Sequence, residues 1–517
     1  MPANKVKTIC IVGGGSAGWM TAAYALHNLP WAKVILVESP NIPTVGVGEA
    51  TLLSFDNFLT DSGIPKYLWQ NATDAVAKTG IVFSKWKDSK TDIWHPFFFD
   101  GMWFPKENDE REYVARSAMG VQADLGIDEY MEFAATWHIT SVEKKQLPDL
   151  RIHEIGYHLD AIKLANFLSS YLREKHPTRL VHKLATVSNI IIDNDQIVSI
   201  DADNETITAD VFIDCTGFKR LLSGAIPGSE YAVHDKMLFT NAAVAGPVKY
   251  QADSEVIPPY TICEACEYGW IWKTSIAGRI GSGLVYNDTL LTKEQAEEYF
   301  VNHWGKDRML TEKFNHIKFK PENNLRNWRG NCFSVGLSSG FLEPLESTGL
   351  AIIIRSAKLG IDLLRKRYYV DEDLAYYNAE MNNLYADAVD FVALHYMNST
   401  NVGPFWDKVR AEFTPSQSLQ TVIDIYATEY VQEESFQFNR IFHPDSWRIW
   451  LRATDHKINV PENEHAMTGL ADMGRSDLTK RGITNNEFVF LYKSFKEEHE
   501  QGMEHSDRDT TSPRTEL

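Results

Sequence analysis

The chain is poor in cysteine, with five in 517 residues, at positions 10, 215, 263, 266 and 332. So sparse and odd-numbered a set excludes a disulfide framework as the source of stability. Cys263-Glu264-Ala265-Cys266 is a lone CxxC with no second pair and no His at ligand spacing, so incidental thiols are expected and no metal site. Positive charge is also short: 51 Lys and Arg stand against 70 Asp and Glu, a net charge of −19. That excess repels phosphate backbones and anionic lipid, which argues against nucleic-acid and membrane partners. No apolar run approaches the ~20 residues that span a bilayer, and the first residues lack the layout of a secretory signal. A soluble, cytoplasmic protein is expected. Internal repeats are missing as well. What remains is a globular composition, 44% hydrophobic and 23% charged, with room for a sizeable core and, at ~150 residues per unit, about three units.

The chain opens on Thr8-Ile9-Cys10-Ile11-Val12, a continuous apolar run of the kind buried on both faces of a sheet. Residues 16–29 carry Ala17, Met20, Ala23, Tyr24 and Leu26 at helical spacing, and Val34-Ile35-Leu36-Val37 is a second buried strand ending in Glu38. Strand, helix and strand in this order make a right-handed crossover unit. Further on, His158 to Leu168 reads as an amphipathic helix, and residues 179–214 read as paired strands broken at Asn194-Asp195 and Asn204-Glu205. Val211–Asp214 is one more strand and Cys332–Gly336 the last, with a strong helical pattern behind it from Gly349 to Lys366. Beyond about 370 the chain is mostly helical, most clearly over Glu372–Met397, and residues 496–517 have the composition of a frayed or disordered tail.

Gly13-Gly14-Gly15-Ser16-Ala17-Gly18 satisfies G-x-G-x-x-G between the first strand and the first helix. Glycines there allow a tight turn and close approach to a pyrophosphate seated on the helix N-terminus. Glu38, 20 residues beyond Gly18, stands where a ribose-binding carboxylate belongs. FAD is favoured over NAD because two later segments, Asp214-Cys215-Thr216-Gly217 and Val335-Gly336-Leu337-Ser338-Ser339-Gly340, look like returns of the chain to a fixed cofactor.

Together with Gly46-Val47-Gly48-Glu49-Ala50-Thr51, Lys78, Gly269-Trp270-Ile271-Trp272 and the run Gly340-Phe341-Leu342-Glu343-Pro344-Leu345-Glu346-Ser347-Thr348-Gly349, the chain resembles the flavin-dependent halogenases that act on tryptophan and related indoles. The resemblance spans residues 13–349. It implies an α/β fold, an FAD-binding Rossmann-like module of the flavin monooxygenase type carrying a mostly α-helical substrate module. It also implies FADH2 from a separate flavin reductase, halide (chloride or bromide) oxidised with O2 to hypohalous acid, and a small indole-like aromatic as acceptor. Lys78 and Glu346 are then the catalytic pair. Lys78 binds the oxidant through its ammonium or forms a haloamine, two alternatives left open, and Glu346 polarises the oxidant and takes the ring proton. Thr348 and Gly349 are the halide-binding positions. The cofactor-binding residues are Gly13, Gly15, Ser16, Ala17, Gly18, Glu38, Gly48, Glu49, Ala50, Asp214, Gly336 and Leu345. His95 and Phe97 match a segment that sandwiches the indole ring, with core packing an equal alternative, and Trp447 and Trp450 are read as core. Two departures stand out. The family's W-x-W-x-I-P becomes Trp270-Ile271-Trp272-Lys273-Thr274-Ser275, and no set of residues that would grip the amino acid portion of tryptophan is recognisable in the C-terminal third.

The organisation that follows assigns residues 1–95, 156–235 and 326–366 to the flavin module, 96–155 to a substrate-module insertion, 236–325 to a sheet facing the substrate, 367–495 to the helical substrate module and 496–517 to the tail. A monooxygenase of related fold and a non-catalytic flavin-binding protein are the alternatives. The oligomeric state is open, a homodimer being one form.

Overall fold

The computed structural model describes residues 4–42, 49–78, 80–97, 156–251, 258, 260–428, 435 and 441–456. Gly48, most of the segment 96–155 and the tail 496–517 lie outside them. The apolar run Thr8–Val12 is the centre of a six-stranded sheet in the order Trp328–Arg329, Cys332–Ser334, Val211–Asp214, Thr8–Val12, Lys33–Glu38, Leu180–Leu184. The last five strands are parallel. Parallel strands need layers on both faces, which is why Ile9, Cys10 and Ile11 are all fully buried. The helix Ser16–Asn28 and the helix Thr348–Leu363 pack together on one side.

A second, seven-stranded sheet runs Asn315–Lys318, Ala242–Val248, Arg279–Tyr286, Gly269–Ile276, Thr261–Cys266, Gly80–Ser84, Ile93–Pro96. Gly80–Ser84 and Ile93–Pro96 therefore pair within the sheet of residues 236–325, although a boundary at 95 puts Gly80–Ser84 and residues 93–95 in the flavin module and Pro96 in the insertion. Pairing across the sheet outranks nearness in sequence. A small antiparallel sheet, Glu49–Ala50, Gly156–Leu159, Val76–Lys78, packs against the second sheet at Gly269–Ile276.

Two elements differ from their sequence reading. His158 and Leu159 begin no helix. They are strand, paired with Ala50 and Glu49, and the helix starts at Ala161 behind Asp160, whose carboxylate accepts from the backbone N–H of Ile162 and Lys163. The strand wins because His158 is anchored sideways, at 3.0 Å to the Ser275 carbonyl and 2.7 Å to the Thr261 hydroxyl. Nor is Cys332–Ser334 the last strand, since the two-residue strands Gly340–Phe341 and Tyr368–Tyr369 follow. The turn at 194–195 is as the pattern demands, with Asn194 and Asp195 at positive φ between paired strands, whereas the second break lies one residue earlier than Asn204-Glu205: Asp203 takes the positive φ and Glu205 already pairs in the strand Glu205–Ile207.

Candidate active site

At the glycine motif three of the glycines do different work. A Cβ on Gly18 would stand 1.8 Å from the Gly13 carbonyl oxygen, and one on Gly14 would meet the Glu38 side chain at 2.1 Å. Gly15, at the N-cap of the helix Ser16–Asn28, has nothing within 4 Å of that position. The space is outside the protein's own packing and in line with the helix N-terminus, as a pyrophosphate needs. Ser16 and Ala17 open the helix, and Gly336 (φ +73) would carry a Cβ 3.0 Å from that of Ala17, so the two returns of the chain do converge on this turn. Glu38 ends its strand beside it, 3.0 Å from Nε2 of His182. Asp214 is buried and its carboxylate takes up Thr216 (N–H and hydroxyl), Leu222 N–H and Ser223 (N–H and hydroxyl), all within 3.0 Å. Its acceptor capacity is spent on holding the turn that contains Gly217. Above Gly217 (φ +67) there is again open space.

Glu49 and Ala50 form the edge strand of the small sheet. Oε2 of Glu49 is buried without a protein partner among the described residues, and burial, helped by Asp160, pushes the carboxyl up to about 7. An orphaned acceptor, or a neutral acid able to donate, together with open space at Gly15 and Gly217, fits a polar cofactor such as FAD.

Lys78 ends the other edge strand of the same small sheet, Val76–Lys78, and is fully buried. Its Nζ donates to Ser347 Oγ at 2.8 Å and lies 4.8 Å from the Phe97 ring centroid. Burial pulls the amine down to about 7, against the opposing pull of Glu346 and Cys263. The turn opposite is strained: Glu346 (φ 60) and Ser347 (φ 58) are consecutive non-glycine residues in the left-handed region. That conformation turns the Glu346 carboxylate inward and frees Ser347 to accept from Lys78 rather than cap the helix, which begins at Thr348 and has no side-chain cap. The first N–H groups of that helix, those of Thr348 and Gly349, keep the partial positive charge of an uncapped end, and a Cβ on Gly349 would meet nothing within 4 Å. Leu345 is wholly buried under the turn.

Around Glu346 the structure adds partners that sequence reading missed. His95 Nδ1 lies 2.8 and 2.9 Å from the two carboxylate oxygens, and His95 Nε2 lies 2.8 Å from Ser446 Oγ. His395 Nε2 lies 2.7 Å from Oε1. Burial alone would push Glu346 up, but His95 and His395 outweigh it and hold the carboxyl at about 2. His95 is thus brought to the carboxylate, and Phe97 to the lysine. His395 sits in the apolar run Phe391-Val392-Ala393-Leu394-His395, a lone polar residue whose isolation was its only signal.

The altered motif also has a place. Trp270 donates from its indole N–H to Tyr396 OH at 3.1 Å, and Tyr396 in turn bonds Glu343 at 2.7 Å. Trp272 covers Gly283, whose Cβ would stand 2.1 Å from the ring. Ser275 supplies the carbonyl that anchors His158 beside the Lys78 strand. Cys263 and Cys266 lie on one strand three residues apart, hence on opposite faces, and both thiols are free.

The family model described as tryptophan halogenase matches residues 8–471. Among curated proteins, the tryptophan 6-halogenase ThaL of Streptomyces albogriseolus is 32% identical over 450 residues, 82% of each chain. The tryptophan 7-halogenase RebH of Lentzea aerocolonigenes is 30% identical, again over 82% of each. Among solved structures, the tryptophan 6-halogenase SttH of Streptomyces toxytricini superposes with a TM-score of 0.80 at 27% identity, over 94% of this chain and all of that one. The flavin-dependent halogenase BrvH of Brevundimonas sp. BAL3 superposes with a TM-score of 0.78 at 26% identity, over 95% and 99%. With a match over nearly its whole length and a buried lysine facing a histidine-bound carboxylate, the chain belongs to the tryptophan halogenase family and is a flavin-dependent halogenase.

Proposed function

We propose that the protein halogenates an indole-like aromatic lacking an amino acid group, using FADH2 from a separate flavin reductase, with Lys78 and Glu346 as the catalytic residues. The observation that carries the reading is the meeting of a fully buried lysine and a fully buried carboxylate through one turn, Lys78 on Ser347 and Glu346 next to it. Taking a lysine and a carboxylate wholly out of water costs several kcal/mol, only part of which the bonds from Lys78 to Ser347 and from Glu346 to its two histidines offset. FAD, when bound in its reduced form, would reduce oxygen to the peroxide level and so supply the two-electron oxidation of halide to hypohalous acid, water being the other product.

Gly13, Gly15, Ser16, Ala17 and Gly18 hold its pyrophosphate, Glu38 its ribose, and the surroundings of Glu49, Ala50, Asp214, Gly336 and Leu345 the remainder. Thr348 and Gly349 present N–H groups to the halide. Lys78, with a proton affinity balanced near neutrality, engages the oxidant as donor or as amine. Glu346, held ionised by its histidines, accepts the proton that the ring loses: the ring C–H bond breaks, its electrons restore aromaticity, and an O–H forms on the carboxylate.

The test is incubation with a generic flavin reductase, bromide or chloride, and a panel of aromatics, read by mass spectrometry for the halogen isotope pattern. The expected result is halogenated indole. Absence of halogenated product across the panel would overturn the reading.

A further inference from the structure

His395 is wholly buried at the end of the helix Asp371–Leu394, and both its ring nitrogens face acceptors. Nδ1 lies 2.7 Å from the carbonyl oxygen of Phe391, one turn back, and Nε2 lies 2.7 Å from Oε1 of Glu346. A carbonyl oxygen offers only lone pairs, so Nδ1 carries a hydrogen. A neutral imidazole has a single N–H, and an ionised Glu346 would then confront the bare Nε2 lone pair at 2.7 Å. The opposite tautomer only moves the clash to Phe391. One further proton must lie between Nε2 and Oε1. Burial lowers the proton affinity of His395, while its bond to Glu346 pulls the other way; two features of the geometry put the proton on the nitrogen. His95 Nδ1 bridges both oxygens of Glu346, the geometry of a donor on a carboxylate. The Trp450 ring lies 3.6 Å from the His395 ring, centroid to centroid, at 31°, and an indole face stabilises a cation.

We propose that His395 is a positioning residue that acts as an imidazolium, keeping the buried Glu346 ionised so that it enters the reaction as a base. The proposal rests on the reading of Glu346 as acceptor of the ring proton. His395 keeps its own two protons throughout, and the transferred proton ends as O–H on Glu346. The other ionisable groups facing the pair are His95 on Ile93–Pro96, Lys78 on Val76–Lys78, Cys263 on Thr261–Cys266, and Glu343 on the same turn. Cys263 stays a neutral thiol because burial pushes it up. Glu343, bonded by Thr240 and Tyr396, is itself pushed up by burial to about 7 and adds negative charge only above that. Lys78 loses its charge near the same pH, so below neutrality His395 and Lys78 act on Glu346 in the same sense.

His395→Gln keeps an N–H donor toward Glu346 but cannot be charged. Without that cation, burial should carry Glu346 from about 2 toward the value of about 7 of the equally buried Glu343, so bromination of indole, measured from pH 5 to 9 in wild type and H395Q with a generic flavin reductase, should show in the variant an acid-side loss of kcat that Glu346 does not impose on wild type in this range. That is a loss of about tenfold at pH 6 that shrinks as pH rises, with KM for indole little changed. Superimposable profiles would overturn the proposal. An independent readout is 15N NMR of histidine-labelled enzyme. One doubly protonated buried ring should be present in wild type, absent in H395Q, and converted to a singly protonated ring in E346Q. A singly protonated His395 in wild type overturns the proposal even if no variant folds. Failure of wild type to brominate would instead defeat the functional reading, and the NMR result would still decide the charge of His395.

Discussion

Lys78 and Glu346 show how burial becomes chemistry one residue at a time. An ammonium taken wholly out of water loses proton affinity, and Lys78 falls to about 7. A carboxylate taken out of water gains it, unless donors intervene, and two histidines reverse the sign at Glu346. On the proposed role of Lys78, acting on the oxidant after halide has been oxidised, Lys78→Ala should lower halogenated product by about 10²-fold or more while reduced flavin is still consumed and hydrogen peroxide released. A variant that brominates at the wild-type rate would remove Lys78 from the mechanism. Glu49 offers a test in the opposite direction. Its carboxyl is raised by burial to about 7, so the stability linked to it is fully present below the ordinary glutamate range and is lost as pH rises from about 4.5 through 7. Glu49→Gln removes that penalty. The FAD-free variant should be more stable than wild type by ~1–2 kcal/mol at pH 8 and show no gain at pH 4.5, read by urea unfolding. Equal gains at both pH values would show that Glu49 ionises freely.

Among elements, the turn from the strand Thr8–Val12 into the helix Ser16–Asn28 separates packing from binding within six residues. Gly18 is required by the protein itself, since its Cβ would overlap the Gly13 carbonyl. Gly15 is not, because its Cβ would enter open space. Gly15→Val should therefore fold with nearly wild-type Tm but bind FAD at least ~10-fold more weakly, while Gly18→Ala should lower Tm itself by several degrees, as a 1–3 kcal/mol loss does. Fluorescence titration and thermal melts of the pair would check this, and undiminished FAD affinity in Gly15→Val would show the site to be elsewhere. The helix Thr348–Leu363 works by a similar economy. Its N-terminus lacks a side-chain cap because Ser347 is turned to Lys78, which leaves the N–H groups of Thr348 and Gly349 available for an anion.

Across the whole molecule, the described surroundings of Glu346 are aromatic: Phe391 and Phe442 stack at 3.9 Å, and Trp447 and Trp450 are buried beside them. Among the described residues, several charges on the helical segments are paired with one another. Asp407 pairs with Arg410 at 2.5 Å, Lys408 with Glu412 at 2.6 Å, and Asp390 accepts from Ser416 and Ser418. A zwitterion needs partners worth ~1.5–3 kcal/mol each, whereas an apolar pocket discriminates by only ~1–3 kcal/mol per methylene-sized difference. Indole should therefore show a higher kcat/KM than free tryptophan with bromide, and bulkier aromatics should be accepted. Side-by-side kinetics check this; a clear preference for tryptophan would reveal a clamp for its amino acid group.

Local pattern by itself determined the elements whose chemistry is local. The G-x-G-x-x-G turn, the acid at the end of the second strand and the anion-ready start of the helix at Thr348 all depend on residues a few positions apart, so periodicity and glycine placement suffice to find them. Glu346 was marked by the family resemblance of the run Glu343 to Gly349, not by local pattern. What stood on either side of Glu346 was decided only by tertiary structure: His95 is 251 residues away in sequence and His395 is 49. The sheet membership of Gly80–Ser84, the strand at His158 and the capture of the Asp214 carboxylate by its own turn were decided in the same way. Burial and proton affinity are sums over neighbours brought from all parts of the chain, and a sequence lists the neighbours without saying which will meet.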